Sequence, residues 1–486
     1  MRLKSIINLV LTPEKIYNKL IARGSDLTLN DYIISIKDKR IAVVGLGVSN
    51  LPLIKLLLSF GCDVTGCDKR SFAQLGADAL DLISRGAKLK LGEKYLDGLD
   101  HDIIFRTPGL MPFDEYLKAA EEKGSVITSE MEVFFALCPC RTVAVTGSDG
   151  KTTTSTIISE LLKHTGCTVH LGGNIGTPLL CEIPQFKESD IAVLELSSFQ
   201  LHSMRCKPDI AVITNISPNH LDKHKDYQDY IDAKRSIFMM QDSGDRLVLN
   251  FDDAHSDYYA GFAKSRISYF SDKSEVGRGC FCKDGIIYRA KDGNVTELLH
   301  TDDILLPGEH NVLNYLAAFT ATEGLVSDDD CRCVAGSFSG VEHRLELVRV
   351  RGGVTYINDS IGTSPSRTAA GLRAMKVKPI VIAGGYDKHI PFDGLGDDLC
   401  RMAKKVFLTG DTADKIEAAI TSSRFYGESG LETVKIDDFT ETVLAAAEAA
   451  EDGDIVLFSP ACAAFDRFRN FEERGKYFKK IIMELK

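Results

Sequence analysis

The string Thr146-Gly147-Ser148-Asp149-Gly150-Lys151-Thr152-Thr153 follows the apolar run Val143-Ala144-Val145 and combines the residue types that hold polyphosphate. Glycines let the main chain turn so that its N–H groups surround phosphate oxygens. Lys151 adds a point charge for the terminal phosphates, and Thr152 a hydroxyl for Mg²⁺. Two residues separate the glycines, against four in the usual P-loop, so a generic P-loop GTPase or motor is not expected. Mg²⁺ asks for oxygen ligands, best a carboxylate at the end of a neighbouring strand, and Glu195 closes the run Ile191-Ala192-Val193-Leu194. The next apolar run leads into a polar loop with His220, Asp222 and His224. A phosphate loop nearby favours Mg²⁺ there, with a softer transition metal as the alternative. Lys234, on the amphipathic stretch from Tyr230 to Met240, reads by itself as a solvated lysine.

A second glycine string, Gly45-Leu46-Gly47-Val48-Ser49-Asn50, follows an earlier apolar run, and Asp68 stands at the end of the next one. This is close to a dinucleotide fingerprint, in which glycines admit a diphosphate and the acid bonds a sugar hydroxyl. Asn50 replaces the third glycine. Three readings stay open on these residues: a diphosphate site for a nucleotide or nucleotide-sugar, an NAD site, and a tight strand-to-helix turn without a ligand.

Such loops need strands to carry them. Short β-rich runs alternate with amphipathic stretches from Ile41 onward, the pattern of α/β units with mostly parallel sheets. Ile41–Val44, Val64–Cys67 and Ile103–Phe105 form a first set. Thr142–Val145, Ile191–Leu194, Ile210–Thr214 and Leu247–Leu249 form a second, and Thr355–Ile357, Ile380–Ala383, Val406–Leu408 and Ile455–Phe458 a third. Three sheets are expected, with a β-rich insertion over 265–300 that turns at Asp284-Gly285 and Asp292-Gly293. Residues 1–39 read as a helical prefix, with a helix start at Thr12-Pro13-Glu14 and a second cap at Asn30-Asp31.

Composition narrows the partners. With 486 residues, 44% hydrophobic and 26% charged, the chain is long enough for about three domains and is neither disordered nor fibrous. A net charge of −11 gives no general attraction to nucleic acid or anionic membrane, so phosphate must be held by a local device. The early apolar run Ile6–Leu11 is too short to span a bilayer and has no small-residue cleavage site after it. Thirteen scattered cysteines with no Cys-x-x-Cys pair suit reduced thiols in a cytoplasmic protein, a metal role being the alternative.

Taken together the strings resemble the Mur ligase family, ATP-dependent ligases that extend the peptide of bacterial cell-wall precursors. The resemblance covers about residues 40 to 486. It rests on the phosphate loop, Gly172-Gly173-Asn174-Ile175-Gly176, Glu195-Leu196-Ser197-Ser198-Phe199-Gln200-Leu201, Pro218-Asn219-His220-Leu221-Asp222, Gly308-Glu309-His310-Asn311 and Glu342-His343-Arg344. Asn358-Asp359-Ser360, Gly384-Gly385-Tyr386-Asp387-Lys388 and Ser459-Pro460-Ala461-Cys462-Ala463 look like the members that add D-glutamate to UDP-N-acetylmuramoyl-L-alanine. A ligase for another amino acid is the alternative within the family; a nucleotide-sugar or NAD-binding protein without ligase activity is the alternative outside it.

The resemblance implies a Rossmann-like N-terminal domain at 40–130 for the UDP-precursor, a P-loop-type central ATPase at 131–340 and a Rossmann-like amino-acid domain at 341–486, after an extension at 1–39. Gly147, Ser148, Asp149, Gly150, Lys151, Thr152 and Thr153 would hold ATP, with Asn311, Arg344 and Asp359 around adenine, phosphate and ribose. Thr152 and Glu195 would bind a first Mg²⁺. His220 would bind a second, bridged by Lys234 if that lysine is carbamylated. Ser49, Asp68, Arg70 and Gly109 would take the uridine diphosphate portion, Asn174 the rest of the precursor, and Thr363, Lys388 and Phe471 the D-glutamate. The implied catalytic group is Lys151, His220 and Lys234, acting through an acyl phosphate with release of ADP and phosphate and with closure of the third domain. A cytoplasmic monomer acting on small molecules is expected. Two positions depart from the family: Ala464 stands where relatives often have serine, and Ile361 where they often have lysine. For the first, backbone N–H groups at the start of the following helix are the expected substitute.

Overall fold

β1 (Arg40–Val44) is buried at every residue after the first, which is why Ile41-Ala42-Val43-Val44 lacks the polar alternation of a one-sided strand. The computed structural model describes residues 27–176, 178–220, 223–306, 308–375, 377–387 and 390–485. Between Ser337 and Phe338 the chain divides into two compact units, and the first holds two sheets.

The first sheet adds β2 (Asp63–Asp68), β3 (Lys88–Leu91), β4 (Ile103–Phe105) and β5 (Val126–Thr128), in the order β3-β2-β1-β4-β5 and parallel throughout. Strand order reverses between β1 and β4. A ligand crevice opens beyond the strand ends at such a point, and Gly45-Leu46-Gly47 lies there.

The second sheet comprises β6 (Arg141–Thr146), β7 (Val169–Gly173), β8 (Ile191–Glu195), β9 (Ile210–Ile213), β10 (Arg246–Asn250), β11 (Arg266–Ser271), β12 (Gly279–Lys283), β13 (Ile286–Lys291) and β14 (Asn294–His300). Their order is β14-β13-β12-β11-β10-β9-β6-β8-β7, with β6 flanked by parallel β8 and β9. The insertion at 265–300 is therefore not a separate body: it extends this sheet, ending in antiparallel β12, β13 and β14. Its two turns place Asp284 and Gly285 at φ 51° and 75°, and Asp292 and Gly293 at 51° and 84°, the left-handed pair that matches hairpin twist. One apolar core serves both sheets, joining Ile41 and Val43 to Ala144 and Leu194.

In the second unit, β15 (Glu346–Arg351), β16 (Val354–Asn358), β17 (Ile380–Gly384), β18 (Lys405–Thr409), β19 (Glu432–Lys435) and β20 (Ile455–Phe458) form a sheet ordered β15-β16-β20-β17-β18-β19. Only edge strand β15 runs antiparallel. Separate apolar clusters cover its two faces.

The N-terminal cap differs from the sequence expectation. Helix Leu29–Ile36 starts at Thr28, whose hydroxyl accepts from Asp31 N while the Asp31 carboxylate accepts from Thr28 N at 3.1 Å. Asp31 is thus the third helical residue of a capping box rather than the cap, and that register buries Leu29, Tyr32, Ile33 and Ile36 on one face. The Thr12-Pro13-Glu14 start lies outside the described residues. Among the described residues no helix is long and apolar enough to cross a membrane.

Candidate active site

The glycine loop leaves β6 and enters helix Lys151–His164 through Gly147 at φ 148° and Gly150 at φ 76°. Both glycines are required by their neighbours. A Cβ on Gly147 would sit 1.9 Å from Thr214 Oγ1, and one on Gly150 2.3 Å from Asn314 Oδ1. No side chain caps the helix start, which leaves its first turn of N–H groups and the positive end of its dipole facing the loop. The loop is braced from the end of β9: Ser148 N donates to Asn215 O at 2.8 Å, Asp149 N to Asn215 Oδ1 at 3.0 Å, and Thr214 Oγ1 to Asp149 O at 2.6 Å. Lys151 Nζ reaches Gly147 O at 3.0 Å and Ser148 O at 2.9 Å.

Glu195, at the end of β8, is 2% exposed and accepts from Thr152 Oγ1 at 2.6 Å and from Asn174 Nδ2 at 2.7 Å. A hydroxyl and a carboxylate in this arrangement are the hard oxygen donors that suit Mg²⁺. Lys234 is not a solvated lysine. It is 1% exposed, donates to Gly147 O at 2.7 Å and Thr146 Oγ1 at 3.4 Å, and lies 4.6 Å from the Tyr230 ring centre. Burial, reinforced by the charge of Lys151, holds its pKa well below the ordinary lysine value, so the amine is driven toward its neutral, nucleophilic form. The sequence hid this because a helical lysine every few residues is the mark of a solvated face; only packing turns this one inward.

His220 and His224 separate. His220 is exposed, at φ 54°, with its ring 4.9 Å from that of Phe199. His224 is buried and bonds Asp229 and Ser198. Asp222 lies outside the described residues. Asn311 is buried on helix Glu309–Ala321, where it accepts from Asn314 Nδ2 at 3.1 Å, and Asn314 in turn accepts from Thr154 Oγ1 at 3.2 Å.

At the first sheet, Asp68 is buried and locks the glycine turn: it accepts from Leu46 N at 2.7 Å and from Arg70 Nη2 at 2.8 Å, while Arg70 also donates to Leu46 O at 2.7 Å. The Arg70 guanidinium and the two backbone N–H groups, set against burial, keep the Asp68 carboxyl below its usual range. Asn50, which replaces the third glycine, ties its amide to Val44 O and Gly45 O. Ser49 precedes the helix Asn50–Ser59 without capping it, and Gly109 is exposed beyond β4. Arg106 was not singled out by sequence. It is 3% exposed and donates to Leu110 O at 3.1 Å, Phe199 O at 3.1 Å and Ser203 Oγ at 2.8 Å, linking the β4 end to the segment after Glu195.

In the second unit the strand ends of β16, β20 and β17 lie side by side, bringing Asp359, Ser459–Ala463 and Gly384-Gly385 together. Asp359 accepts from Ser459 Oγ at 2.6 Å and from Leu345 N at 3.3 Å, with Arg344 close enough to act on its charge. Burial outweighs these partners and pushes its carboxyl up to about 6. A folded acid above its unfolded value binds protons more tightly than the unfolded chain, so stability from this group is present below pH ~4 and lost as pH rises to about 6. Asp359→Asn is therefore expected to stabilise the protein by on the order of 1–3 kcal/mol at pH 7.5 and by much less near pH 4, measured by denaturant unfolding at both pH values. Thr363 N donates to Ile361 O, and Phe471 packs edge-on against His343 at 5.9 Å. Lys388 lies outside the described residues. Ala464 is buried, and the helix after it begins only at Phe471, capped by Asn470. Backbone N–H groups at that helix start are thus seven positions along the chain from the residue they were expected to serve.

Known proteins resemble this chain over most of its length. The family model for the Mur ligase middle domain matches residues 145–322, and that for the Mur ligase glutamate ligase domain matches 343–462. A UDP-N-acetylmuramoylalanine--D-glutamate ligase of Acetivibrio thermocellus is 48% identical over 93% of this chain and 98% of its own. One of Ruminiclostridium cellulolyticum is 46% identical over 93% and 98%. Among solved structures, MurF of Acinetobacter baumannii superposes with a TM-score of 0.52 at 16% identity, covering 74% of this chain and 82% of its own. The UDP-N-acetylmuramate-alanine ligase of Thermotoga maritima does so with 0.51 at 18%, covering 92% and 100%. The last two speak for the fold. With near-full-length relatives at almost half identity and both family models matching in order, the chain belongs to the Mur ligase family.

Proposed function

We propose that the protein is an ATP-dependent carboxylate–amine ligase that joins D-glutamate to UDP-N-acetylmuramoyl-L-alanine in peptidoglycan precursor synthesis. The observation that carries this reading is the Thr152–Glu195 hydrogen bond beside a glycine loop held by Lys151, in a chain whose near-full-length relatives bear the name of that ligase. The helix start at Gly150 and the Lys151 ammonium would receive the phosphates, and Lys151 would stabilise charge on the transferring γ-phosphoryl group. Thr152 and Glu195 would hold one Mg²⁺, and His220 and a carbamylated Lys234 a second. The metal's contribution is to neutralise phosphate charge. The burial that holds the Lys234 amine well below its ordinary pKa supports carbamylation, since carbon dioxide adds to an amine and not to an ammonium.

The alanyl carboxylate of the precursor would attack the γ-phosphorus, giving an acyl phosphate and ADP. The D-glutamate amine would then attack the acyl carbon, and phosphate would leave. Asn174, bonded to Glu195, would place the precursor beside the loop. Ser49, Asp68, Arg70 and Gly109 of 40–130 would bind the uridine diphosphate. Asn311 of 131–340, with Arg344 and Asp359 of 341–486, would hold the nucleotide, and Thr363, Lys388 and Phe471 the amino acid. Ala464 and Ile361 remove a hydroxyl and a charge from the family's amino-acid pattern, so the test compares several amino acids.

The test is phosphate release with ATP, Mg²⁺ and UDP-N-acetylmuramoyl-L-alanine against D-glutamate, L-glutamate, L-alanine, L-lysine and diaminopimelate. Release with D-glutamate alone is expected. Release with a different amino acid would move the protein to another family member's reaction, and release with none would remove the ligase reading.

A further inference from the structure

Asp229 has no part in the roles above, yet two histidines converge on its carboxylate. His202 Nε2 lies 2.9 Å from Oδ1, and His224 Nδ1 lies 2.9 Å from Oδ2. A carboxylate only accepts, so each ring must present an N–H to it. In the neutral ring, which burial favours, that leaves Nε2 of His224 as an acceptor for Ser198 Oγ, 3.0 Å away. Ser198 opens the helix Ser198–Leu201, which follows Glu195 almost at once. In the other direction, His224 N donates to His220 O at 3.1 Å, and the His224 ring stacks on Phe199 at 5.4 Å with 12° between planes. Phe199 in turn meets the His220 ring at 4.9 Å.

We infer that Asp229, acting through His224 with His202 as its second donor, is a positioning residue that pins the turn carrying His220 to the turn carrying Glu195. These turns leave β9 and β8, which lie on opposite sides of β6, so the network bridges over the phosphate-loop strand. It also bears on how His220, a non-glycine residue, is held at φ 54°: both Lys223 N and His224 N donate to its carbonyl. Such a conformation persists only where its surroundings over-determine it. With Asp229 removed, the His224 tautomer is no longer set, Ser198 loses a fixed acceptor, and the hold on His220 relaxes. The inference rests on the metal roles proposed for Glu195 and His220.

The experiment uses the full chain and Mn²⁺ as the probe, titrated by electron paramagnetic resonance, so that it does not depend on turnover. Asp229→Asn and Ser198→Ala are each expected to weaken Mn²⁺ binding, the first by about 10–100-fold, the range for loss of a group that orients metal ligands. Asp229→Glu should recover part of the loss. In the phosphate-release assay the same variants should raise the Mg²⁺ concentration for half-maximal rate while leaving the KM for the precursor unchanged. Unaltered Mn²⁺ affinity in folded Asp229→Asn overturns the inference. So does a loss in Asp229→Asn with none in Ser198→Ala, since the metal would then sit on the His202, His224 and Asp229 donors themselves. A wild-type chain that binds Mn²⁺ with the expected variant pattern but releases no phosphate would defeat the proposed ligase activity and not this network.

Discussion

Lys151→Ala is expected to lower kcat/KM for ATP-dependent phosphate release by at least about 10³-fold, equivalent to ~4 kcal/mol of transition-state stabilisation. The size follows from where the charge acts. Phosphoryl transfer leaves little covalent chemistry to the protein, and most of its contribution is fixed positive charge and N–H dipoles aimed at the moving group. In the proposed reaction Lys151 would supply that charge at the mouth of the loop, where its Nζ lies within 3.0 Å of Gly147 O and Ser148 O. The fold should hardly notice. Alanine is a good helix former, the loop keeps its braces from Asn215 and Thr214, and a change in unfolding free energy under ~1 kcal/mol is expected. Steady-state phosphate release and thermal denaturation of the same preparation check both halves. Activity within tenfold of wild type would remove Lys151 from the phosphoryl-transfer step.

Lys234→Met should likewise separate activity from stability. Methionine has nearly the same volume and asks for no hydrogen bond, while the native lysine puts an amine in a site where its charged form is strongly disfavoured. Gly147 O loses one donor but keeps Lys151. Melting temperature is therefore expected to stay level or rise, while turnover falls by about 10³-fold if the amine is the seat of a carbamate oxygen ligand. Lys234→Arg should lose activity and stability together, because a guanidinium keeps its charge in the same buried position. Turnover that rises with added bicarbonate in the wild type, and not in either variant, would support the carbamate directly. A Lys234→Met chain with near-normal turnover would sink it.

Arg106 shows a different limit of sequence reading. Nothing in Phe105-Arg106-Thr107 marks this arginine as other than a surface cation. In the fold it is buried with main-chain carbonyls and a serine for partners, and its pKa is lowered to about 10 by burial. It tolerates that position because a guanidinium presents several donors in a fixed fork and can satisfy them on carbonyls.

Much of the chemistry was legible along the chain because it is local. Glycines at 147 and 150 followed by Lys-Thr, and an acid closing a run of buried apolar residues, describe a strand end and a helix start within a few residues of each other, and the same short-range rules place Asp359 after β16. Strands β3, β7 and β19 were less visible, since each is exposed or half-buried over much of its length and lacks the continuous apolar run that marks a strand covered on both faces. Pairings between distant segments are another matter. That Asn215 would brace the loop, that Asn314 would stand over Gly150, and that Asp229 would hold His202 and His224 follow from which strands become neighbours. Residue types alone carry no record of that, because a polar side chain's partner is chosen by the burial that packing imposes on it. The sequence by itself therefore determined which groups sit at the strand ends and what they can do; the tertiary structure decided which of them meet, and which, like Lys234, are stripped of water and changed in character by the meeting.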